Sequence, residues 1–311
     1  MSVTRLAPSP TGALHLGNAR TFFINWILAR QNGWRILLRI EDLDGPRIKP
    51  GSDRVLLEDL QYLGLNWDDG PVYQSARDAE YRRAVEQLVE QGLAYPCVCT
   101  RREVELAASA PHAEDGASVY PGVCRGRFHS IEQARQASGR EPAIRFAAPD
   151  RAVEFHDRFL GDRQINVAQA LGDFVIAKSD RTAAYQLAVV VDDLAGGVTE
   201  VVRGDDLLDS TPRQILLYEA LGAADRVPNY THVPLVIGPD GRRLAKRHGD
   251  TRIATYRQLG VPATRILQLL ARWCGIDDPS RPMEGFSLDR LGKNPIVFTP
   301  GDDAWLRQGM G

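Results

Sequence analysis

A strand, a helix and a second strand follow one another within residues 1–40, and this order limits the fold more than any other feature. Apolar residues at helical spacing from His15 to about Gln31 predict the helix, and Gly33 predicts its end. The run WRILLRI, residues 34–40, has the continuous apolar character of a strand that is covered on both faces in a parallel sheet. Parallel strands joined by a helix form a right-handed βαβ unit. The sequence therefore predicts an α/β fold with a Rossmann-type, doubly wound parallel sheet.

The same alternation of strands and helices returns in the second half of the chain after an interruption. Apolar runs at 174–178 and 198–204 predict strands, and residues 210–222 form a predicted helix. Residues 94–170 break this pattern and hold three of the four cysteines. The predicted organisation is therefore a sheet domain in two halves, 1–93 and 171–250, with an insertion at 94–170 and a helical appendage at 251–311.

Composition and charge narrow the class of protein without identifying it. Of the 311 residues, 43% are hydrophobic and 25% are charged, as in a globular protein with a large core. The net charge of −2 gives no overall basic field, although a local basic patch is enough to bind nucleic acid. The N-terminus lacks the segments of a secretory leader, and no apolar run approaches the ~18 residues of a membrane span. We therefore expect a cytoplasmic protein without a membrane partner, and a monomer.

The loop between the first strand and the first helix carries the first candidate site. Nucleotides bind where a loop leaves the carboxyl end of a parallel strand and enters a helix, because the helix N-terminus offers free N–H groups. His15 and Asn18 lie about one turn apart, so both could face a phosphate, and Gly17 permits a close approach. Taken alone, HLGN at residues 15–18 fits an ordinary strand–helix connection with a hydrogen-bonded histidine equally well.

Five motifs, in the same order, resemble those of the class I aminoacyl-tRNA synthetases in their glutamyl form. The stretch PSPTGALHLGNAR resembles the HIGH region, with the motif residues Pro8, His15, Leu16, Gly17 and Asn18. The stretch RRLAKRHG resembles the KMSKS loop, with the motif residues Arg243, Leu244, Ala245, Lys246 and Arg247. The stretches RIEDLDGPR, AYQLAVVVDD and VVRGDDLL resemble the glutamate pocket. Alone, RRLAKR fits a solvated basic turn, but within this series it identifies the chain as a member of the family.

The resemblance implies amino-acid activation, in which a carboxylate attacks the α-phosphate of ATP and pyrophosphate leaves, with Mg²⁺ accompanying the ATP. Negative charge builds on the phosphate oxygens, so the reaction needs positioned donors and cations rather than a protein nucleophile. The residues implied in catalysis are His15, Asn18 and Lys246. The residues implied in ATP binding are Pro8, His15, Gly17, Asn18 and Lys246.

The resemblance also implies a pocket for L-glutamate, which carries two carboxylates and one ammonium. Arg5 and Arg203 are the candidates for the carboxylates, because a planar guanidinium binds a carboxylate through two hydrogen bonds. Glu41 is the candidate for the α-ammonium. In the alternative interpretation, Arg203 and Glu41 are charges at strand ends that pair with other side chains. Further contacts are implied for the hydroxyls of Ser9 and Tyr185 and the backbone of Ala7.

Three cysteines close together in the sequence suggest a metal site. These are Cys97, Cys99 and Cys124, which can supply three thiolates. In a reducing cytosol such a group favours metal over disulfides, the alternative being three reduced cysteines without metal. Zinc takes four donors in a tetrahedron, and the family resemblance implies Tyr120 as the fourth donor to one structural zinc ion. Judged by chemistry alone, three other residues compete for that place, namely His112, Glu114 and His129.

The C-terminal part distinguishes branches within the family. Full-length glutamyl-tRNA synthetases continue into helical anticodon-binding domains, whereas this sequence ends at residue 311, shortly after the KMSKS-like loop. In this it resembles the glutamyl-queuosine tRNA(Asp) synthetases, and Val189 stands where full-length relatives often carry asparagine. That resemblance implies activation of glutamate without tRNA, followed by transfer to queuosine at the wobble position of tRNA(Asp). The alternatives are a truncated synthetase that charges a tRNA 3′ end and an inactive RNA-binding paralogue.

Overall fold

The structure is a computed structural model that describes residues 1–45, 48–100, 102–104, 119–242, 244 and 249–308. Its strands are β1 (Val3–Leu6), β2 (Arg35–Ile40), β3 (Asp69–Tyr73), β4 (Ala94–Cys97), β5 (Ala143–Phe146), β6 (Ala152–Asp157), β7 (Gly161–Asn166), β8 (Phe174–Ala177), β9 (Glu200–Gly204), β10 (Asn229–Val233), β11 (Val236–Ile237) and β12 (Ile296–Val297). Its α-helices are α1 (Leu16–Asn32), α2 (Ser52–Tyr62), α3 (Asp78–Glu90), α4 (Ile131–Ser138), α5 (Val167–Ala170), α6 (Tyr185–Gly196), α7 (Ser210–Ala220), α8 (Ile253–Gln258), α9 (Ala263–Trp273), α10 (Pro282–Gly285) and α11 (Pro300–Arg307).

A seven-stranded sheet runs through the described part of the chain in the order β3-β2-β1-β9-β10-β6-β7. Neighbouring strands are parallel from β3 to β6, and the β6–β7 pair at the edge is antiparallel. β1 pairs with β2 on one side and with β9 on the other, so the strand order reverses there. Ligands bind such sheets in the crevice beyond the carboxyl ends of the strands at the reversal. The predicted doubly wound parallel sheet is confirmed, and it places the ends of β1 and β9 side by side.

A second sheet, of three antiparallel strands, joins β4, β5 and β8. The strand predicted at 174–178 therefore lies in this small sheet rather than in the large one. Residues 152–166, inside the predicted insertion, include the β6–β7 hairpin that extends the large sheet. The insertion predicted at 94–170 thus contributes to both sheets, and the domain boundaries stay a prediction.

Apolar side chains fill both faces of the large sheet. On one face α1 and α2 share a core with α8 and α9, and on the other α3, α6 and α7 form a separate core. Arg20 of α1 is fully buried and donates to the carbonyls of Pro234 at 2.6 Å and Trp273 at 3.3 Å, which ties the C-terminal helices to α1. In the part of the chain that the structure describes, no helix combines the length and apolar character needed to cross a membrane.

Candidate active site and metal centre

A cavity of about 220 Å³ opens where β1 and β9 end side by side. All six residues predicted to contact glutamate line it, together with Pro8 and Asn18. They come from β1 and its following loop, from β9, from the start of α6 and from the residue after β2, so the large sheet is what gathers them. The six are Arg5, Ala7, Ser9, Glu41, Tyr185 and Arg203.

A buried network of charges lies along one side of this cavity, which is the smaller of two that the site contains. Glu41 accepts a hydrogen bond from Nη2 of Arg39 at 3.0 Å, and Nη1 of Arg39 donates to Oδ1 of Asp193 at 2.5 Å. Arg5 lies 3.7 Å from Oδ2 of the same Asp193. Burial raises the pKa of Glu41, and the charge of Arg39 opposes that shift. Glu41 and Arg5 thus have partners within the protein while they also line the cavity.

Arg203 has a different set of partners. Its Nε donates to Nε2 of His232 at 2.9 Å, its Nη1 to Oε1 of Gln214 at 2.9 Å, and its Nη2 to Oγ1 of Thr211 at 2.7 Å. None of these three acceptors is a carboxylate, so the guanidinium presents its positive charge to the cavity. The three partners were not predicted. The sequence of α7 gives no clear signal for Thr211 and Gln214, because Ser210, Arg213 and Glu219 are polar positions of the same helix.

A second cavity, of about 540 Å³, lies beside the first turn of α1. His15 lines it, and its Nδ1 accepts hydrogen bonds from the backbone N–H groups of Gly17 and Asn18 at 3.1 and 3.4 Å. The proton of the neutral ring therefore sits on Nε2, which makes that atom a donor. A Cβ at Gly17 would lie 3.0 Å from Cε1 of His15, so a side chain there would displace the ring.

The residues predicted to bind ATP are divided between the two cavities. Pro8 and Asn18 line the smaller cavity, and His15 lines the larger one. Gly17 lies against the His15 ring. Because His15 and Asn18 are neighbours on one helix turn, α1 forms part of the boundary between the two cavities. A ligand that spans both cavities would pass the N-terminus of α1, where backbone N–H groups favour negative charge.

The KMSKS-like loop is described at Leu244 and at its flanks. Leu244 is buried, lines the larger cavity and donates its backbone N–H to the carbonyl of Val236 at 3.3 Å. After the loop, the carbonyl of Thr251 accepts a hydrogen bond from the N–H of Leu16 at 3.0 Å, which joins the end of the loop to the start of α1. The other predicted loop residues lie outside the described residues, namely Arg243, Ala245, Lys246 and Arg247.

Three thiol groups meet at the end of β4. The sulfur atoms of Cys97, Cys99 and Cys124 lie within 4.8 Å of one another. The hydroxyl of Tyr120 is 3.4 Å from Sγ of Cys97 and 3.7 Å from Sγ of Cys99. Among the described residues, no His, Asp or Glu side chain joins the sulfur atoms. Three sulfurs and one oxygen supply the four donors that tetrahedral coordination needs, so this group could hold a metal ion.

The residues around the sulfur group determine which side chain could be the fourth metal donor and how the negative charge of the sulfurs is balanced. The side chain of His129 is exposed to solvent and stands apart from the sulfur atoms. Arg145, which was not predicted, donates from Nε to Sγ of Cys97 at 3.3 Å, and its guanidinium lies 3.8 Å from the centre of the Tyr120 ring. A cation in this place stabilises the negative charge of metal-bound thiolates. The other two competing donors, His112 and Glu114, lie outside the described residues.

Known protein sequences agree with the motifs. The family described as the class I tRNA synthetase (E and Q) catalytic domain matches residues 1–281. A glutamyl-Q tRNA(Asp) synthetase from Rhodopirellula baltica is 47% identical over 311 aligned residues, which cover 95% of this chain and 92% of that protein. A glutamate–tRNA ligase from Geobacter sulfurreducens is 41% identical, over 97% of this chain and 64% of the ligase.

Solved structures show the same relationship. The crystal structure of a glutamate tRNA ligase from Elizabethkingia meningosepticum in complex with its amino acid matches 99% of this chain and 69% of that chain, with a TM-score of 0.81 and 30% identity. The fold, the motifs and these relatives agree. The chain belongs to the family of class I tRNA synthetases for glutamate and glutamine, and it is a ligase of that class.

Proposed function

We propose that this enzyme uses ATP to activate L-glutamate without tRNA and then transfers the glutamate to the queuosine base of tRNA(Asp). The observation that carries the first step is the small cavity lined by two arginines and one glutamate, Arg5, Arg203 and Glu41. The second step is supported by four relatives named glutamyl-Q tRNA(Asp) synthetase, which are 45–47% identical over at least 94% of this chain. We infer a monomer that acts in the cytoplasm, where its tRNA substrate is found.

L-glutamate fills the smaller cavity through complementary charge. Arg203 and Arg5 bind its two carboxylates, and Glu41 accepts hydrogen bonds from its α-ammonium. The neutral partners of Arg203 support this assignment, because none of these described partners is a carboxylate, whereas Arg5 shares Asp193 with Arg39. The remaining contacts come from the hydroxyls of Ser9 and Tyr185 and from the backbone of Ala7.

Activation takes place where the two cavities meet. The α-carboxylate of glutamate attacks the α-phosphate of ATP, a mixed anhydride forms, and the bond to pyrophosphate breaks. ATP, accompanied by Mg²⁺, occupies the larger cavity and passes Pro8, Gly17 and Asn18 at the start of α1. Nε2 of His15 donates to a phosphate oxygen, and Lys246 balances the charge that develops on pyrophosphate.

Replacing Lys246 with methionine is expected to lower kcat about 100-fold, because one cation that acts only on the developing charge is lost. The KM for glutamate should change little, since the proposed role of Lys246 is toward pyrophosphate and not toward glutamate. Steady-state ATP–pyrophosphate exchange measures both constants. Lys293→Met, at an exposed lysine near the C-terminus, is the matched control. A normal kcat in the Lys246 variant would remove this residue from the mechanism.

The sulfur group is proposed to hold one structural zinc ion through Cys97, Cys99, Cys124 and Tyr120. The residues fit zinc, because three sulfurs and a phenol oxygen lie within a few ångströms of one another and Arg145 supplies a compensating positive charge. When bound, zinc supplies a cross-link between the end of β4 and the segment 120–124. These four residues line neither cavity, so the ion would stabilise the fold and take no part in the reaction.

The acceptor is tested by offering labelled glutamate and ATP together with three tRNAs. These are tRNA(Asp) with queuosine, tRNA(Asp) without queuosine, and tRNA(Glu). We expect label on the first alone, and ribonuclease digestion should place it in the anticodon loop. Label at the 3′ end of tRNA(Glu) would establish the truncated charging enzyme instead. If wild-type protein shows no glutamate-dependent exchange of pyrophosphate, the inactive RNA-binding paralogue is the better description.

A further inference from the structure

Two fully buried polar residues that the proposed reaction does not use lie behind Arg203. They are His232 on β10 and Asp157 at the end of β6. Arg203 on β9 is the register partner of His232, and Asp157 pairs with Tyr230 of β10. Three adjacent parallel strands therefore contribute one residue each to a row that ends at the smaller cavity. Such a row needs an explanation, because burying charged and polar groups costs free energy unless each is hydrogen-bonded.

The hydrogen bonds in this row fix the protonation of His232. Nε of Arg203 can only donate, so Nε2 of His232, 2.9 Å away, must accept. Nδ1 of His232 then carries the proton and donates to Oδ2 of Asp157 at 2.7 Å. Burial lowers the pKa of His232, the hydrogen bond to Asp157 opposes that shift, and the charge of Arg203 adds to it. The imidazole is therefore neutral, with a single tautomer.

Asp157 is itself held in one orientation. Its Oδ1 accepts hydrogen bonds from the backbone N–H groups of Phe159 and Leu160 at 3.0 and 2.8 Å, and its Oδ2 also accepts from the N–H of His232 at 3.0 Å. These bonds fix the carboxylate to the backbone at the end of β6. The row thus runs from a fixed carboxylate, through a fixed imidazole, to the guanidinium that lines the cavity.

The row leaves part of Arg203 available. A guanidinium has five N–H donors, and His232, Thr211 and Gln214 take one each, which leaves one N–H on each terminal nitrogen. Two N–H groups side by side are what a bidentate carboxylate contact requires. A carboxylate in place of His232 would also position Arg203 but would cancel its charge, whereas a neutral imidazole positions it and leaves the charge in place.

We propose that His232 and Asp157 are positioning residues that fix the Arg203 fork for the side-chain carboxylate of the substrate and thereby select glutamate over glutamine. The proposal rests on the proposed glutamate site. A neutral amide cannot use a fixed cationic fork as a carboxylate does, so the selection depends on the orientation and the charge of Arg203 together.

The test is ATP–pyrophosphate exchange with His232→Leu, His232→Gln and Asp157→Asn. In His232→Leu we expect the KM for glutamate to rise about 10- to 100-fold while the KM for ATP stays within about twofold, and the preference for glutamate over glutamine should fall in parallel. His232→Gln keeps an acceptor for Arg203 and should recover most of the loss. His156→Leu is the matched control, because His156 on β6 is exposed and pairs with Asp162 at 2.6 Å outside the cavity.

Asp157→Asn keeps the shape of the side chain. It therefore tests the positioning role even if His232→Leu does not fold. In this variant the amide NH₂ faces either the backbone N–H groups that Asp157 binds or Nδ1 of His232. In the second orientation Nδ1 must accept, so the proton of the imidazole lies on Nε2 and meets the Nε–H of Arg203. The KM for glutamate should rise again, with the unfolding temperature recorded for each variant. An unchanged KM for glutamate, or an equal rise in both KM values, would overturn the positioning role. Absence of exchange in the wild type would instead contradict the proposed function.

Discussion

Replacing Arg203 with methionine is expected to lower kcat/KM for glutamate about 100- to 1,000-fold, mainly through KM. Methionine fills much of the same volume but leaves a substrate carboxylate without its cation. The same change removes the donor that His232, Gln214 and Thr211 share, so some loss of stability should accompany it. The measurements are ATP–pyrophosphate exchange over a range of glutamate concentrations and the unfolding temperature of the variant.

Two companion variants separate charge from geometry at this position. Arg203→Lys keeps the charge but loses the planar fork, so it should recover only part of the affinity for glutamate. Arg226→Met, at an exposed arginine that donates to the carbonyl of Leu194, should leave both KM values unchanged. If Arg203→Met bound glutamate normally, the smaller cavity would not be the glutamate site.

Loss of the proposed zinc ion is expected to have the largest effect on the fold. Cys97→Ser should reduce the zinc content from one ion per chain to almost none and lower the unfolding temperature by about 10 °C, because a structural zinc ion contributes its binding free energy to folding. The destabilised part should be the small sheet of β4, β5 and β8 and the segment that follows Tyr120. Metal analysis and thermal unfolding with and without a chelator measure the two effects.

Two further variants serve as comparisons for Cys97→Ser, one at a cysteine and one at the tyrosine of the sulfur group. Cys274→Ser changes a buried cysteine that lies apart from the sulfur group, and it should retain the zinc ion. Tyr120→Phe keeps the ring against Arg145 but removes the oxygen donor, so it should weaken metal affinity without abolishing it. A full complement of zinc in Cys97→Ser would exclude these residues as the metal site.

Local patterns in the sequence were enough to predict the central architecture. The alternation of apolar strand and amphipathic helix over residues 1–40 predicted β1, α1 and β2, because both periods are properties of a few adjacent residues. The β6–β7 hairpin and the partner of β8 were not predicted. Strand pairing depends on contacts between distant segments, and a largely polar strand such as β7 carries little sign of which sheet it joins.

In the candidate site, too, some residues could be predicted from the sequence and others depend on contacts between distant segments. Family motifs pointed to the six residues of the smaller cavity, and the structure gathers them at the ends of β1, β2 and β9. The partners of Arg203 could not be found in this way, since His232 reaches it only through the register between β9 and β10. His15 and Asn18 line different cavities although they lie about one turn apart, because His15 is the extended residue before α1 and its ring turns back onto the first turn, which no motif specifies.

The neutral hydrogen-bond partners of Arg203 also affect the balance between stability and selectivity. The guanidinium of Arg203 is 4% exposed and, among the residues that the structure describes, hydrogen-bonds only to neutral side chains, so it is poorly solvated in the free enzyme. Glutamate brings the missing negative charge, so the native state becomes more stable each time substrate binds. A substitution that placed an acid next to Arg203 would therefore produce a more stable protein that no longer discriminates glutamate from glutamine. Screening for thermostability alone would select such variants, so a screen of this enzyme needs glutamate turnover as a second criterion.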